Sequence, residues 1–247
     1  MQPIEIALEA ALLVMRSGGS TVAAERSFTA ILRGCHQPGI EAVWRLDFIA
    51  AADPAVGKSS AVVRPVGPIG VNLVRASEVA VLGERVASGE VDGAAVGAEV
   101  RRIAQLPSPH NRWVMTAAAA IAAASFSQLP GGDWGSVGVA FVAAGVGQSL
   151  RSLLQARKLA VAPVTLVCGL LSALIASVGL RLGVSQVAPA TLIASVIYMV
   201  PSLPLINGFV DMLSHRHLLV GVGRMINAAY LFLLLTIAIA FAHAVVL

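Results

Sequence analysis

Two prolines, an amide, a carboxylate and a guanidinium stand close together late in the chain: Pro201, Pro204, Asn207, Asp211 and Arg224. The first four lie in the run IYMVPSLPLINGFVD. Each proline lacks a backbone donor and crowds the preceding turn, so the run predicts an interrupted helix. At membrane depth such a break is tolerated only where protein or a water-filled cavity satisfies the freed groups, and transporters build substrate sites from breaks of this kind. Asn207 and Asp211 are four residues apart, so they share one face if helix resumes after Pro204. In that setting Asp211 would take up and release a proton, and the freed carbonyls would accept from an ammonium or hydroxyl group. Arg224, expected at the start of the next helix, would attract a substrate carboxylate or pair with Asp211. These five residues are the expected substrate or proton pathway. The competing reading makes Asp211 a solvated loop residue beside His215, Arg216 and His217.

Other chemistry finds little footing. Gly57-Lys58-Ser59-Ser60 looks like the end of a phosphate-binding loop, but the glycine required five positions before Gly57 is Ala52, and a strand rather than a helix is expected to follow. A hairpin turn with an exposed lysine is the simpler account, so ATP drive within this chain is not expected. The five histidines are scattered apart from His215 and His217, and no metal-ligand spacing stands out. No serine has a histidine and an acid nearby in sequence. Neither enzyme activity nor a cofactor or metal is expected. Cys35 and Cys168 fall in different surroundings and read as packing residues.

The elements that hold the candidate site belong to a membrane protein. Hydrophobic residues make up 57% of the 247 and charged residues only 12%, about half the charge of an ordinary soluble domain. The charges are unevenly placed. Residues 1–112 carry eleven basic and eleven acidic side chains, and residues 113–247 carry six and two. The excess of positive charge therefore belongs to the apolar half, which speaks for membrane topology and against nucleic-acid binding. Five apolar stretches are expected to cross: Trp113–Leu129, Trp134–Leu150, Val161–Leu180, Ala188 to about Leu205, and Met225–Val246. With the N-terminus inside, Arg101, Arg102, Arg112, Arg151, Arg157, Lys158, Arg216 and Arg224 all lie inside, and Arg181 alone lies outside. The first two stretches are short and rich in small residues: Thr116, Ala120 and Ala124, then Ala140 and Ala144 with Gly135, Gly138, Gly145 and Gly147. Helices this smooth gain most from close packing against other helices.

Residues 1–112 read as a small cytoplasmic α+β domain. The start carries Glu5 and Glu9 and lacks a basic leader, so it does not resemble a secretory signal. Ile4, Leu8, Ala11, Leu12 and Met15 predict one amphipathic helix ending at Gly18-Gly19, and Ser20 or Thr21 caps a second helix to about Arg33. Alternation over residues 41–51 and β-branched residues over 60–66 predict a hairpin. Asn72 caps a helix to about Ala87 and Asp92 another to about Leu106, before Pro107 and Pro109 lead to the bilayer.

Several of these segments together resemble the threonine/serine exporter family, in particular the longer subunit of its split two-protein form. The likeness rests on Leu12-Leu13 leading into Ser17-Gly18-Gly19-Ser20-Thr21 with Glu25, on Ile69-Gly70-Val71-Asn72-Leu73, on Gly131-Gly132-Asp133-Trp134, on Val200 through Gly208 with Asp211, and on Gly223-Arg224. It implies a multi-pass protein of the inner (plasma) membrane, working with a second, shorter membrane subunit. The implied activity is export of small hydrophilic metabolites, threonine and serine or dicarboxylates such as succinate, driven by the proton gradient. The alternative is a membrane-anchored regulatory or scaffold protein, but one anchor needs one helix.

Overall fold

The computed structural model describes residues 2–55 and 61–246. The possible phosphate loop at Gly57–Ser60 lies outside the described residues. The chain divides into two compact units, the first made of residues 1–109 and 202–227 and the second of residues 110–201 and 228–247.

The first unit holds helices α1 (Pro3–Arg16), α2 (Thr21–Gly34), α3 (Leu73–Ala87) and α4 (Gly93–Ala104), strands β1 (Glu41–Trp44), β2 (Phe48–Ala52) and β3 (Val62–Pro65), and, from far along the chain, α9 (Ser202–Leu213) and the beginning of α10 (Leu218–Val246). Short polar side chains start the helices as expected. The Ser20 hydroxyl accepts from Ala23 N–H at 3.1 Å, Asn72 Oδ1 from Arg75 N–H at 3.2 Å, and Asp92 Oδ1 from Ala94 N–H at 3.3 Å. Helix α1 departs from the expected one-sided pattern. Beyond Ile4, Leu8, Ala11, Leu12 and Met15 it also buries Ile6, Ala7, Ala10 and Val14, because alanines on the second face let neighbouring elements approach it from more than one side. It is the central helix of the unit, packed with Ile31, Leu32, Ile49, Val79, Val86 and Ile103.

The expected hairpin is a three-stranded antiparallel sheet of order β1-β2-β3. Residues 41–51 do not form one strand. The chain turns at residues 45–47, where Arg45 N–H donates to the Phe48 carbonyl, so Trp44 pairs with Ile49 and Phe48 with Pro65. The turn splits a run that alternates throughout, and periodicity alone cannot locate it.

The second unit is helical: α5 (Arg112–Phe126), α6 (Trp134–Ala156), α7 (Val161–Arg181), α8 (Ala188–Val196) with the 3-10 turn Ile197–Met199, and the rest of α10. Small residues fill its interior, among them Ala120, Ala123, Ala140, Ala143, Ala144, Ala173 and Ala176. Phe141, Val142, Val167, Leu233, Ile237 and Phe241 point outward. Large apolar side chains outside and small ones inside suit a lipid solvent, which rewards close helix packing rather than burial of bulk. Ala120 faces Gly145 where α5 packs on α6, and a Cβ on the glycine would sit 3.5 Å away.

Among the described residues three helices are long and apolar enough to cross a bilayer, α6, α7 and α10, and there are four candidates if α8 with its 3-10 turn and α9 count as one interrupted span. Helix α5 covers 15 residues, or about 22 Å at 1.5 Å per residue, against a hydrocarbon core of about 30 Å. The structure thus supports a multi-pass membrane protein with three to four candidate spans where five were expected. Helix α6 also runs to Ala156 rather than Leu150, which brings Arg151 inside the helix instead of at its flank.

Candidate functional site

Helix α9 does resume after a break, but at Ser202 rather than after Pro204. Pro201 is the break. Pro204 is the third residue of α9, where backbone N–H groups have no intrahelical acceptor, so its missing donor removes nothing from the helix. Asn207 and Asp211 then lie one turn apart on the buried side of α9, with Gly208 between them.

Opposite them is the α1–α2 turn, Ser17-Gly18-Gly19-Ser20-Thr21. Gly18 has φ +91°, a conformation open to glycine and strained for other residues. Its carbonyl accepts from Asn207 Nδ2 at 2.8 Å. The same turn is held from another side by the approach to α3. Gly70 N–H donates to the Arg16 carbonyl at 2.8 Å, and Asn72 N–H to the Ser17 carbonyl at 3.0 Å.

Asp211 is fully buried. Its Oδ1 accepts from Thr21 N–H at 2.8 Å and Val22 N–H at 3.2 Å, and its Oδ2 accepts from the Thr21 hydroxyl at 2.8 Å. The carboxylate thereby sits on the N-terminus of α2, where the helix leaves backbone donors free and favours negative charge. Arg224 completes the arrangement with Nε 3.0 Å from Asp211 Oδ2. Its Nη2 also reaches the Gly19 carbonyl at 3.4 Å and the Thr21 hydroxyl at 3.5 Å. Arg224 is not at the start of its helix, since α10 begins at Leu218. The reading of Asp211 as a solvated loop residue does not survive its burial in α9. Of the two roles expected for Arg224, pairing with Asp211 is the one the geometry displays.

The α9–α10 crossing that brings these residues together depends on two glycines. A Cβ on Gly221 would lie 2.7 Å from the Gly208 carbonyl and 2.6 Å from Met212 Cγ. The connection between the helices is pinned to α2 as well. His217 Nε2 and Glu25 Oε2 are 2.8 Å apart, and Arg216 pairs with the other oxygen of Glu25 at 3.0 Å. The Trp44 ring meets His217 edge-on at 5.9 Å. Thr21 beside Asp211, and Glu25 beside His217, are pairings that sequence spacing does not supply. From sequence Thr21 reads only as a helix cap, and 190 positions separate it from Asp211, beyond the reach of any spacing rule.

The remaining motif, Gly131-Gly132-Asp133-Trp134, lies in the second unit and closes the start of α6. Gly131 takes φ +78°. Asp133 accepts from Ser136 N–H at 2.6 Å, from the Ser136 hydroxyl at 2.7 Å, and from Gln186 N–H at 2.8 Å. The Gln186 N–H above all, and then the Ser136 groups, hold the Asp133 carboxyl below the usual carboxylate range. Beside it, a Cβ on Gly135 would collide with the Val184 carbonyl.

Segments 17–21, 69–73, 202–211 and 223–224, scattered over the sequence, thus meet around one buried carboxylate. Comparison with known proteins adds a family. No solved structure matches the chain. A curated relative, the "Probable succinate transporter subunit YjjP" of Klebsiella aerogenes, is 29% identical over 144 residues, 58% of this chain and 55% of that protein. The chain thus spans about half the length of the curated relative it matches. The model of the family described as "Putative threonine/serine exporter" matches residues 5–246. That match takes in every segment of the junction as well as the apolar helices, and the chain belongs to the threonine/serine exporter family.

Proposed function

We propose that this chain is the longer subunit of a two-protein secondary exporter. It moves small hydrophilic metabolites, threonine and serine or dicarboxylates such as succinate, out across the inner membrane in exchange for protons. The observation that carries the reading is the junction around Asp211, where the motif segments of an exporter family converge on a carboxylate with three hydrogen-bond donors and an ion pair to Arg224. Asp211, paired with Arg224, lies on the substrate or proton pathway. Protonating it would remove its ion pair with Arg224 and weaken its hold on the N-terminus of α2. Pro201 breaks the chain ahead of α9, Pro204 begins α9 without disturbing it, and Asn207 fixes the α1–α2 turn through Gly18.

In this reading residues 1–112 are cytoplasmic and residues 113–247 cross five times, with α8 and α9 together as the interrupted fourth span. Helix α5 is too short and alanine-rich to gain much from lipid, so it is stabilised by neighbours that include a second, shorter and strongly apolar subunit. The word "subunit" in the relative's name supports that partner.

Cells lacking this chain should lose efflux of threonine, serine or succinate. Cells lacking both this chain and its partner should regain it with the two together, and not with this chain alone. Unchanged efflux in all three states would favour the scaffold alternative. Orientation has its own check. Leu129→Cys and Leu213→Cys, at exposed positions in a background without Cys35 and Cys168, should react with an impermeant thiol reagent from opposite faces. Labelling of position 213 from outside intact cells would contradict the topology.

A further inference from the structure

The second unit contains a guanidinium without a carboxylate. Arg151 lies inside α6, on the stripe defined by the buried residues Ala140, Ala144, Gly147 and Gln148, which faces the other helices rather than lipid. Its sole hydrogen bond among the described residues runs from Nη1 to the Tyr198 carbonyl at 3.0 Å. Within residues 110–201 and 228–247 the only acidic side chain is Asp133. That residue begins α6 at its other end and is bonded to Ser136 and Gln186. Arg151 therefore uses one of five donors, and the one acidic side chain of its unit is bonded elsewhere. A charged side chain on the inward face of a spanning helix is costly unless something pairs with it.

The surroundings are polar at the same level. Tyr198 belongs to the 3-10 turn just before Pro201. Its carbonyl is one of those left free by the break, because the acceptors there face a proline instead of a continuing helix. The Tyr198 hydroxyl is 3.0 Å from the Ser172 hydroxyl, which in turn donates to the Ala143 carbonyl at 3.0 Å. Gly147 makes room for this pair, since a Cβ there would stand 2.0 Å from the Tyr198 hydroxyl and 2.2 Å from that of Ser172. Gln148, three residues before Arg151 and on the same stripe, is buried, and no hydrogen bond to its side chain occurs among the described residues.

We infer that Arg151, with Gln148 and the Tyr198–Ser172 hydroxyl pair, binds a carboxylate of the transported metabolite beside the helix break. The inference rests on the exporter reading and names the group that the substrate must carry. A guanidinium presents paired donors that match a carboxylate's two oxygens, and it keeps its charge at any physiological pH. The neutral hydroxyls and amide would accept from or donate to the remainder of a short hydrophilic molecule.

The test is uptake of radiolabelled succinate and L-threonine into inside-out vesicles from cells expressing the full chain with its partner subunit. Arg151→Gln should raise the half-saturating concentration of the transported probe at least about tenfold, with Arg151→Lys between it and wild type. Tyr198→Phe, which keeps the ring, should raise it about threefold. A lowered maximal rate with unchanged half-saturation in Arg151→Gln would make Arg151 only a cap on the 197–199 turn and overturn the inference. If Arg151→Gln fails to accumulate in the membrane, Tyr198→Phe and Gln148→Leu decide, and wild-type half-saturation in both overturns it. Transport by wild type with no shift in any variant removes this inference alone, whereas a wild-type chain that carries neither probe removes the exporter reading together with it.

Discussion

Arg224 and Arg151 both lie within helices of the apolar half of the sequence, and they are held in opposite ways. Arg224 is paired with a buried carboxylate that also accepts from the N-terminus of α2. Arg151 has one carbonyl, and the single acidic side chain of its unit, Asp133, is bonded to Ser136 and Gln186. A paired buried charge fixes a structure and can change state only by losing its partner. An unpaired one is open to an anion from outside the chain. The contrast assigns different work to the two sites: the first joins segments of the protein to one another, and the second has capacity left for a ligand.

The largest expected effect comes from breaking the paired site. Asp211→Ala leaves Arg224 buried without a partner and uncaps α2, so the protein should lose about 3–5 kcal/mol, read as a fall in the melting temperature of detergent-purified protein. Asp211→Leu combined with Arg224→Met removes both charges and should recover most of that loss. A double variant as unstable as Asp211→Ala would mean that the pair itself, rather than the orphaned charge, carries the stability.

Gly221→Ala comes next, because its Cβ would meet backbone at the Gly208 carbonyl, 2.7 Å away. Overpacking of this kind costs about 1–3 kcal/mol and should separate α9 from α10. Its melting temperature should fall further than that of Gly138→Ala, where nothing lies within 4 Å of the added Cβ.

These sites differ in how far they can be read from the sequence. Helix starts are legible because Ser20, Asn72 and Asp92 act on donors two or three residues away. The candidate residues on α9 are legible as one face from their spacing of four. Their partners are not, since tertiary packing across most of the chain sets Thr21 beside Asp211. From sequence Arg151 reads as a flanking charge because the apolar run ends at Leu150, yet helix continues through it to Ala156. Hydropathy marks where lipid contact ends, and an inward-facing polar stripe gives the same signal as a helix end. The turn at residues 45–47 is hidden for a related reason: alternation persists on both sides of it.

The smallest effect is expected at the edge of the second unit. The Asp133 carboxyl is held below its usual range by Gln186 N–H and the Ser136 groups. A depressed folded-state value contributes stability that is present above the ordinary carboxylate range and lost as pH falls through the folded value. Asp133→Asn should therefore lower the melting temperature slightly at neutral pH and reduce its dependence on acid. A melting curve against pH identical to wild type would remove any ionic contribution from Asp133 to the α6 start.

The exporter account turns on the charge of Asp211, and Asp211→Asn tests it most directly. The substitution keeps side-chain size and an acceptor for Thr21 N–H and Val22 N–H while removing the charge that pairs with Arg224. Efflux should be measured across a range of external pH, in cells expressing variant or wild-type chain with the partner subunit at equal membrane abundance. The account predicts that proton-driven efflux collapses and that what remains no longer responds to pH. Wild-type efflux with wild-type pH dependence would contradict it and leave Asp211 as a structural tie alone.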